Sequence, residues 1–303
     1  MAHSSTTSDV YLERVNCAID FVMTNLHEPV RLEDVAQVAH FSPFHFHRIF
    51  QSMVGETLGE FVGRVRLERA LQMMSHPQGR SLTQIALACG FASSSDFSRS
   101  FKQRFGVAPS RFDIAAYRET NRDQLGKSTA NAIGVHRLDR LPAGENPDGF
   151  SVTLRDLPAR VVAYIRVSNP YHNNAVIDAM KHLYDWAVMH GVAHRQWLGY
   201  QWENPEITAL EDCHYYIAVE VDDVAPEGEI GRYEFPAMRV AQVTVKGGID
   251  LELRALDWLY TTWLPASGYV PDDLPCFEAW INTPTEFNHE YFELYAQLPV
   301  KKV

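Results

Sequence analysis

The sequence predicts an α+β protein of two domains: an all-α front of two tandem helix-turn-helix units, then a rear domain built from a duplicated βαββ unit, an antiparallel sheet plus two helices. Three observations carry this reading. Residues 32–55 and 82–106 repeat one another, residues 157–167 and 235–245 repeat one another, and the stretch 119–150 between the two pairs lacks apolar periodicity and is rich in Asn, Asp, Gly and Ser. The expected boundaries are therefore a front domain at 1–118, a linker at 119–150 and a rear domain at 151–303.

Composition bounds what the chain does. Its net charge is −11, but residues 1–120 hold 12 basic and 12 acidic side chains, whereas residues 121–303 hold 15 and 26. Within 37–118 the balance is 10 basic to 5 acidic, so the front has a locally positive surface that suits phosphate contact. No apolar run approaches the roughly 20 residues that span a bilayer, and the polar start MAHSSTTSD lacks the order of a signal peptide, so no membrane partner and a cytoplasmic location are expected. Cys17, Cys89, Cys213 and Cys276 are widely separated, which argues for free thiols over a disulfide framework or zinc site. His40, His45 and His47 do not share one helix face and have no carboxylate or cysteine beside them, so no metal is expected. No cofactor is expected either.

In the front repeat, Leu32/Leu82, Val35/Ile85, Ala36/Ala86 and Phe41/Phe91 stand 50 apart, and Phe46/Phe97, Phe50/Phe101 and Gly55/Gly106 stand 51 apart. One extra residue in the second turn explains the step. Each unit opens with a short amphipathic helix, Leu32–Ala39 or Leu82–Cys89, whose Ala36 or Ala86 lets another helix cross closely. Ser42 before Pro43 reads as an N-cap and first helical position, and Ser93-Ser94-Ser95-Asp96 as a capping box with Asp in place of Glu. In the second helix of each unit Phe46, Ile49 and Phe50, then Phe97 and Phe101, face inward. The other faces carry Phe44, His45, His47 and Arg48, and Ser94, Ser95, Ser98, Arg99 and Lys102. Polar and basic side chains around a packed aromatic stripe are what a major-groove helix needs. Phe44 and His47 could equally pack against the first helix. Between the units, Thr57–Ser75 reads as a helix burying Phe61, Val65, Ala70, Leu71 and Met74, a spacer that would hold two reading helices in successive major grooves about 34 Å apart.

Through Leu32, Val35-Ala36, Ser42, Phe46, Phe50, Gly55, Phe61, Arg66, Ala70-Leu71, Ile85-Ala86, Gly90-Phe91, Phe97, Phe101, Gly106 and Pro109-Ser110 the front resembles the AraC family of transcription regulators. The resemblance implies double-stranded promoter DNA as a partner, RNA polymerase as a further one, and base reading through Phe44, His47 and Arg48 and through Ser94, Ser95, Ser98 and Arg99. The sequence departs at Asp113, where many members have arginine.

In the rear repeat, at an offset of 78, LPARVVAYIRV (157–167) pairs with FPAMRVAQVTV (235–245), Trp202 with Trp280, and Asn204 with Asn282. Each half reads as a strand opened by Pro158 or Pro236, a helix, and two more strands. The helices are Asn173–His190, burying Ala175, Met180, Leu183, Tyr184 and Ala187, and Asp250–Leu264, burying Leu253, Leu256, Leu259 and Trp263. A pseudo-two-fold leaves a concave seam between halves, where small molecules bind. Glu278 lies among aromatics, sharing one strand face with Trp280. With Tyr164, Tyr171, Tyr200, Trp202 and Tyr216 it would line a site for a flat, lipophilic, cationic ligand held by ion pairing and cation–π contact.

FEAWIN-x-P (277–284), the strand-helix opening of each repeat and the terminal LPV (298–300) resemble the GyrI-like ligand-binding domain. In that family the glutamate matching Glu278 is central to the pocket; the loop SNPYHNN (168–174) keeps only Pro170-Tyr171 of the family pattern. The two resemblances imply a non-enzymatic regulator with a small-molecule effector and no catalytic residues. A hydrolase of electrophilic toxins, with Glu278 as general base, is the enzymatic alternative. A third reading is constitutive DNA binding with the rear domain as a docking platform.

Overall fold

Caps and apolar spacing decide the helices of the front unit. In the computed structural model, which describes residues 7–75, 80–133, 144–171, 174–282 and 291–302, these are α1 (Thr7–Thr24), α2 (Leu32–Val38), α3 (Pro43–Val54), α4 (Leu58–Ser75), α5 (Leu82–Ala88), α6 (Ser94–Phe105) and α7 (Ile114–Ile133). Ser81 closes a full capping box with Gln84, and α3 and α6 end on Gly55 and Gly106 at φ +88° and +78°. The spacer helix α4 forms as the periodicity predicts and packs against α3, α5 and α6. Sequence reasoning gave no element to residues 7–24; there α1 buries Val15, Ala18, Ile19 and Val22 against Val35, Ala36, Phe46 and Phe50.

The two helix-turn-helix corners solve one steric problem differently. After α5 the chain passes through Gly90 at φ +83°, and a Cβ there would strike the Leu26 carbonyl and the Arg66 guanidinium. Arg66 donates to the carbonyls of Leu26 (3.0 Å) and Glu28 (2.6 Å), locking α4 to the end of α1. The matching residue of the first unit is His40, held at φ +53° without the glycine that region favours.

The chain divides into two compact units, residues 1–120 with 226–231, and residues 121–225 with 232–303. The sequence reading took 119–150 as linker, yet residues 119–133 continue α7; positions 134–143 lie outside the described residues. Asp113 caps this helix by accepting from the Ala116 amide at 3.0 Å. Further along, Arg122 is buried against Glu206 (2.9 Å) and Asp257 (3.6 Å). Those long-range ties override a composition rich in weak helix formers.

The rear unit is a nine-stranded antiparallel sheet with helices α8 (Ala175–Met189), α9 (Ile249–Trp258) and α10 (Leu264–Ser267). Its strands are β1 (Thr153–Leu157), β2 (Arg160–Ser168), β3 (Trp197–Gln201), β4 (His214–Val221), β5 (Gly231–Phe235), β6 (Met238–Gly247), β7 (Tyr269–Pro271), β8 (Cys276–Trp280) and β9 (Phe292–Lys302). The order β1-β6-β9-β8-β3-β4-β2-β5 places the two βαββ halves, β2-α8-β3-β4 and β6-α9-β8-β9, symmetrically about the β3–β8 junction. The 78-residue repeat extends to one more strand than the sequence suggested, since β1 and β5 also correspond. They are exchanged: β1 pairs with β6 of the second half and β5 with β2 of the first.

Residues facing inward from α9 differ from expectation. Glu252, Ala255, Trp258 and Leu259 are buried, whereas Leu253, Leu256 and Trp263 are only half-buried. Leucines occupy two neighbouring stripes of this helix, and a π-helical turn at Leu259–Trp263 rotates the residues beyond it, so apolar spacing alone picks the wrong stripe. In α8, Met180, Leu183, Trp186 and Ala187 are buried; Ala175 and Tyr184 are half-buried, and position 173 lies outside the described residues. Among the described residues no helix is long and apolar enough to cross a membrane.

Candidate functional site

Two surfaces hold the residues singled out from the sequence. In the front unit, Ser42 and Ser93 start α3 and α6 by accepting from the amides of His45 (3.4 Å) and Asp96 (3.1 Å). Phe46, Phe50, Phe97 and Phe101 are fully buried, which fixes the rotation of both helices. The opposite faces therefore point outward. Phe44 is 69% exposed, and His45, His47 and Arg48 are exposed, with the Arg48 guanidinium 6.0 Å from the Phe44 ring centre and His45 Nδ1 3.1 Å from Ser42 Oγ. On α6, Ser95, Arg99 and Lys102 are exposed and Ser94 and Ser98 half-buried; Arg99 donates to Asp96 at 2.7 Å. A buried ion cluster fixes the spacing of the two helices: Arg64 of α4 pairs with Glu56 beyond the end of α3 and with Glu68, which Arg104 of α6 approaches to 3.8 Å.

In the rear unit, strand alternation sorts the aromatic residues onto two faces. Register pairs Gly199 with Glu278 and Tyr200 with Phe277 across the β3–β8 junction. The face carrying Gly199, Glu278 and Trp280 also carries Tyr215 and is the one backed by α8 and α9. Tyr164, Tyr200, Tyr216 and half-buried Trp202 lie on the opposite face, in a second core with Tyr233, Phe235 and Phe277, where Tyr200 and Tyr216 stack at 4.8 Å. This corrects the expectation that they gather around Glu278: both faces of the sheet bury aromatic residues, so aromatic density did not mark the face that carries Glu278. Arg160 covers part of that second core, 4.4 Å over the Phe277 ring. Tyr171 lies in the loop after β2, its hydroxyl 3.1 Å from Gln201 Oε1 and pushed up by burial.

Glu278 sits at the pseudo-two-fold. The Tyr215 hydroxyl donates to its Oε2 at 2.5 Å and the Trp280 indole N–H at 3.4 Å. Tyr215 reaches it only because Gly199 has no side chain, since a Cβ there would overlap the Tyr215 hydroxyl and stand 2.7 Å from Glu278 Oε2. Burial raises the Glu278 carboxyl above the usual carboxylate range, opposed by these two hydrogen bonds, and the Tyr215 hydroxyl is raised well above its ordinary value by burial and by the Glu278 charge. Sequence reasoning counted Tyr215 only among the aromatics of the sheet segments, and it missed Glu252. Glu252 projects from α9, is 3% exposed, and is raised well above the ordinary range by burial and then by the charge of Glu278. Its signal was legible: Glu252, Ala255 and Leu259 form one helical stripe, an acidic residue among small and apolar ones.

Residues 150–301 match the GyrI-like small molecule binding domain, and residues 35–113 a helix-turn-helix domain. The front is 32% identical over 114 residues to the uncharacterized HTH-type transcriptional regulator YbfP of Bacillus subtilis, a match covering 38% of each chain. It is 34% identical over 100 residues to the probable transcription factor PqrA of Proteus vulgaris, covering 32% of this chain and 81% of PqrA. The transcriptional regulator Rob of Salmonella typhimurium is 31% identical over 137 residues, 44% of this chain and 42% of Rob. Against YbfP and the probable transcriptional regulator LumQ of Photobacterium leiognathi, the chain spans about four-tenths of the relative's length, 38% and 42%. The rear half thus belongs to the GyrI-like small molecule binding domain family, and the front is an AraC-type helix-turn-helix DNA-binding domain.

Proposed function

We propose that the chain is a ligand-responsive transcription regulator: a lipophilic cation bound beside Glu278 changes how α3 and α6 engage promoter DNA, with RNA polymerase as the downstream partner in a cytoplasmic setting. The observation that carries this reading is the half-buried Glu278 carboxyl at the seam of the two halves, flanked by Tyr215 and Trp280 on the helix-backed face. A carboxylate in such a place attracts a cation strongly because little water competes, and the indole adds a cation–π face. On the DNA side, Arg48, His47 and Phe44 of α3 and Ser95, Arg99 and Lys102 of α6 form the reading surface, with His45, Ser94 and Ser98 at its margins. Arg99 gives up its Asp96 partner to reach a base edge or a phosphate.

The test combines both halves. The full chain is titrated with tetraphenylphosphonium while its melting temperature and its affinity for a selected DNA site are followed; stabilisation that disappears in Glu278→Gln, with a matching change in DNA affinity, supports the reading. Ligand binding that leaves DNA affinity untouched would refute it, and DNA binding with no ligand response would favour a constitutive regulator with a docking platform behind it.

The buried carboxyl of Glu252 near half-buried Glu278 favours one enzymatic alternative, in which Glu278 as general base activates water against an electrophile. Turnover beyond one equivalent of a lipophilic epoxide or ester, lost in Glu278→Gln, would establish it.

A further inference from the structure

Glu252 is a second acidic side chain close enough to feel the charge of Glu278, and it is buried. Among the described residues no side chain donates a hydrogen bond to its carboxyl or pairs with it, although it is 3% exposed. A carboxyl left that way in a protein interior is costly unless it is neutral or something else completes it. Its surroundings explain the isolation. The strands packed under α9 present Val243, Val245, Leu294 and Ala296, all apolar, and the other charged residues of the helix are engaged elsewhere, Asp250 and Arg254 with each other and Arg254 with Asp148, and Asp257 with Arg122. The titratable groups that face it are Glu278 on β8 and, beyond it, Tyr215 on β4. Both of these already bond to one another, and Trp280 serves Glu278 as well.

We propose that Glu252 is a second ligand-contacting carboxyl of the cleft, and that Glu252 and Glu278 together select flat lipophilic compounds bearing two cationic centres over those bearing one. The inference rests on the reading of the cleft as an effector site. Glu278, supplied with two donors, holds the charge in the free protein, and Glu252 keeps a proton because of burial and its anionic neighbour. A single cation satisfies Glu278. A second cation ionises Glu252 and releases its proton, so affinity for a dication rises with pH more steeply than affinity for a monocation.

Ethidium and propidium provide matched probes, sharing a ring system and differing by one quaternary ammonium. Both are titrated by fluorescence into the nucleic-acid-free full chain, the Glu252→Gln variant and the Glu278→Gln variant. The wild type should prefer propidium by about tenfold or more, Glu252→Gln should abolish that preference while ethidium binding stays within about threefold, and Glu278→Gln should weaken both dyes. In the wild type alone, the preference should grow as pH rises above the ordinary carboxylate range. A preference that is unchanged in Glu252→Gln, or flat with pH, overturns the assignment of Glu252. Absence of binding by either dye to the wild type overturns the effector cleft itself, and this inference with it.

Discussion

Gly199→Ala is the smallest change that reaches Glu278 at the β3–β8 junction, and its effect can be worked from the geometry. The backbone at Gly199 lies in an ordinary strand conformation, so the substitution adds no torsional strain, only a methyl group. That methyl would occupy the position of the Tyr215 hydroxyl and crowd Glu278 Oε2 to 2.7 Å. Tyr215 is therefore displaced and its hydrogen bond to Glu278 lost, a loss of about 1–3 kcal/mol, while insertion into a filled interior costs about 1–3 kcal/mol more. The sum is about 2–6 kcal/mol, read as a downward shift of the rear unit's transition in urea followed by tryptophan fluorescence. Gly63 in α4 provides the comparison: no atom lies within 4 Å of a Cβ there, so Gly63→Ala should raise the front unit's stability by about 0.5–1 kcal/mol through helix propensity. A Gly199→Ala protein within about 0.5 kcal/mol of wild type would show that Tyr215 does not reach Glu278 through the gap Gly199 leaves.

Arg48→Ala should weaken specific DNA binding by about 1–3 kcal/mol if the guanidinium reads a base, or lower the salt slope of log K by about one if it meets phosphate; titrations at several salt concentrations that change neither remove Arg48 from the interface. His40→Gly, which places in the first corner the residue type the second already has, should stabilise the front unit by about 0.5–1 kcal/mol because it removes a left-handed conformation from a residue with a Cβ; thermal melts showing a loss would mean that the His40 side chain contributes more than its strain. The raised Glu252 carboxyl gives the native chain a proton that the unfolded chain sheds above its ordinary value of 4.5, so wild-type stability falls as pH rises from there towards the native value. Glu252→Gln should therefore gain on wild type progressively as pH rises, and a difference constant with pH would refute the shift.

The architecture of the front was legible almost residue by residue, because the aromatic stripe Phe46, Phe50, Phe97, Phe101 both defines the repeat and fixes which faces are solvated. What escaped notice there was α1, whose inward Val15, Ala18, Ile19 and Val22 have no partner in the repeat to draw attention to them. In the rear, the offset of 78 was enough to give two βαββ halves, and Glu278 stood out as a carboxylate among aromatics in a motif that resembles the GyrI-like family; the structure puts it at the β3–β8 junction. Its surroundings were not legible: Tyr200 on the adjoining β3, Tyr216 on β4 and Tyr164 on β2 belong to the same sheet, but the two-residue period of a strand puts them behind it. Residues 119–133 misled for a different reason, since their helix is held by Arg122, Glu206 and Asp257, which are distant in sequence.

The exchange of β1 and β5 has a mechanical meaning. Pro158-Ala159 and Pro236-Ala237 break the chain at equivalent corners, so neither outer strand folds back on its sequence neighbour; each crosses to become the rim of its twin. Neither half owns a complete set of backbone partners, so tugging one loose strips an edge from the other, and the duplicated region must melt as a single block, unlike stacked repeats that fray one at a time.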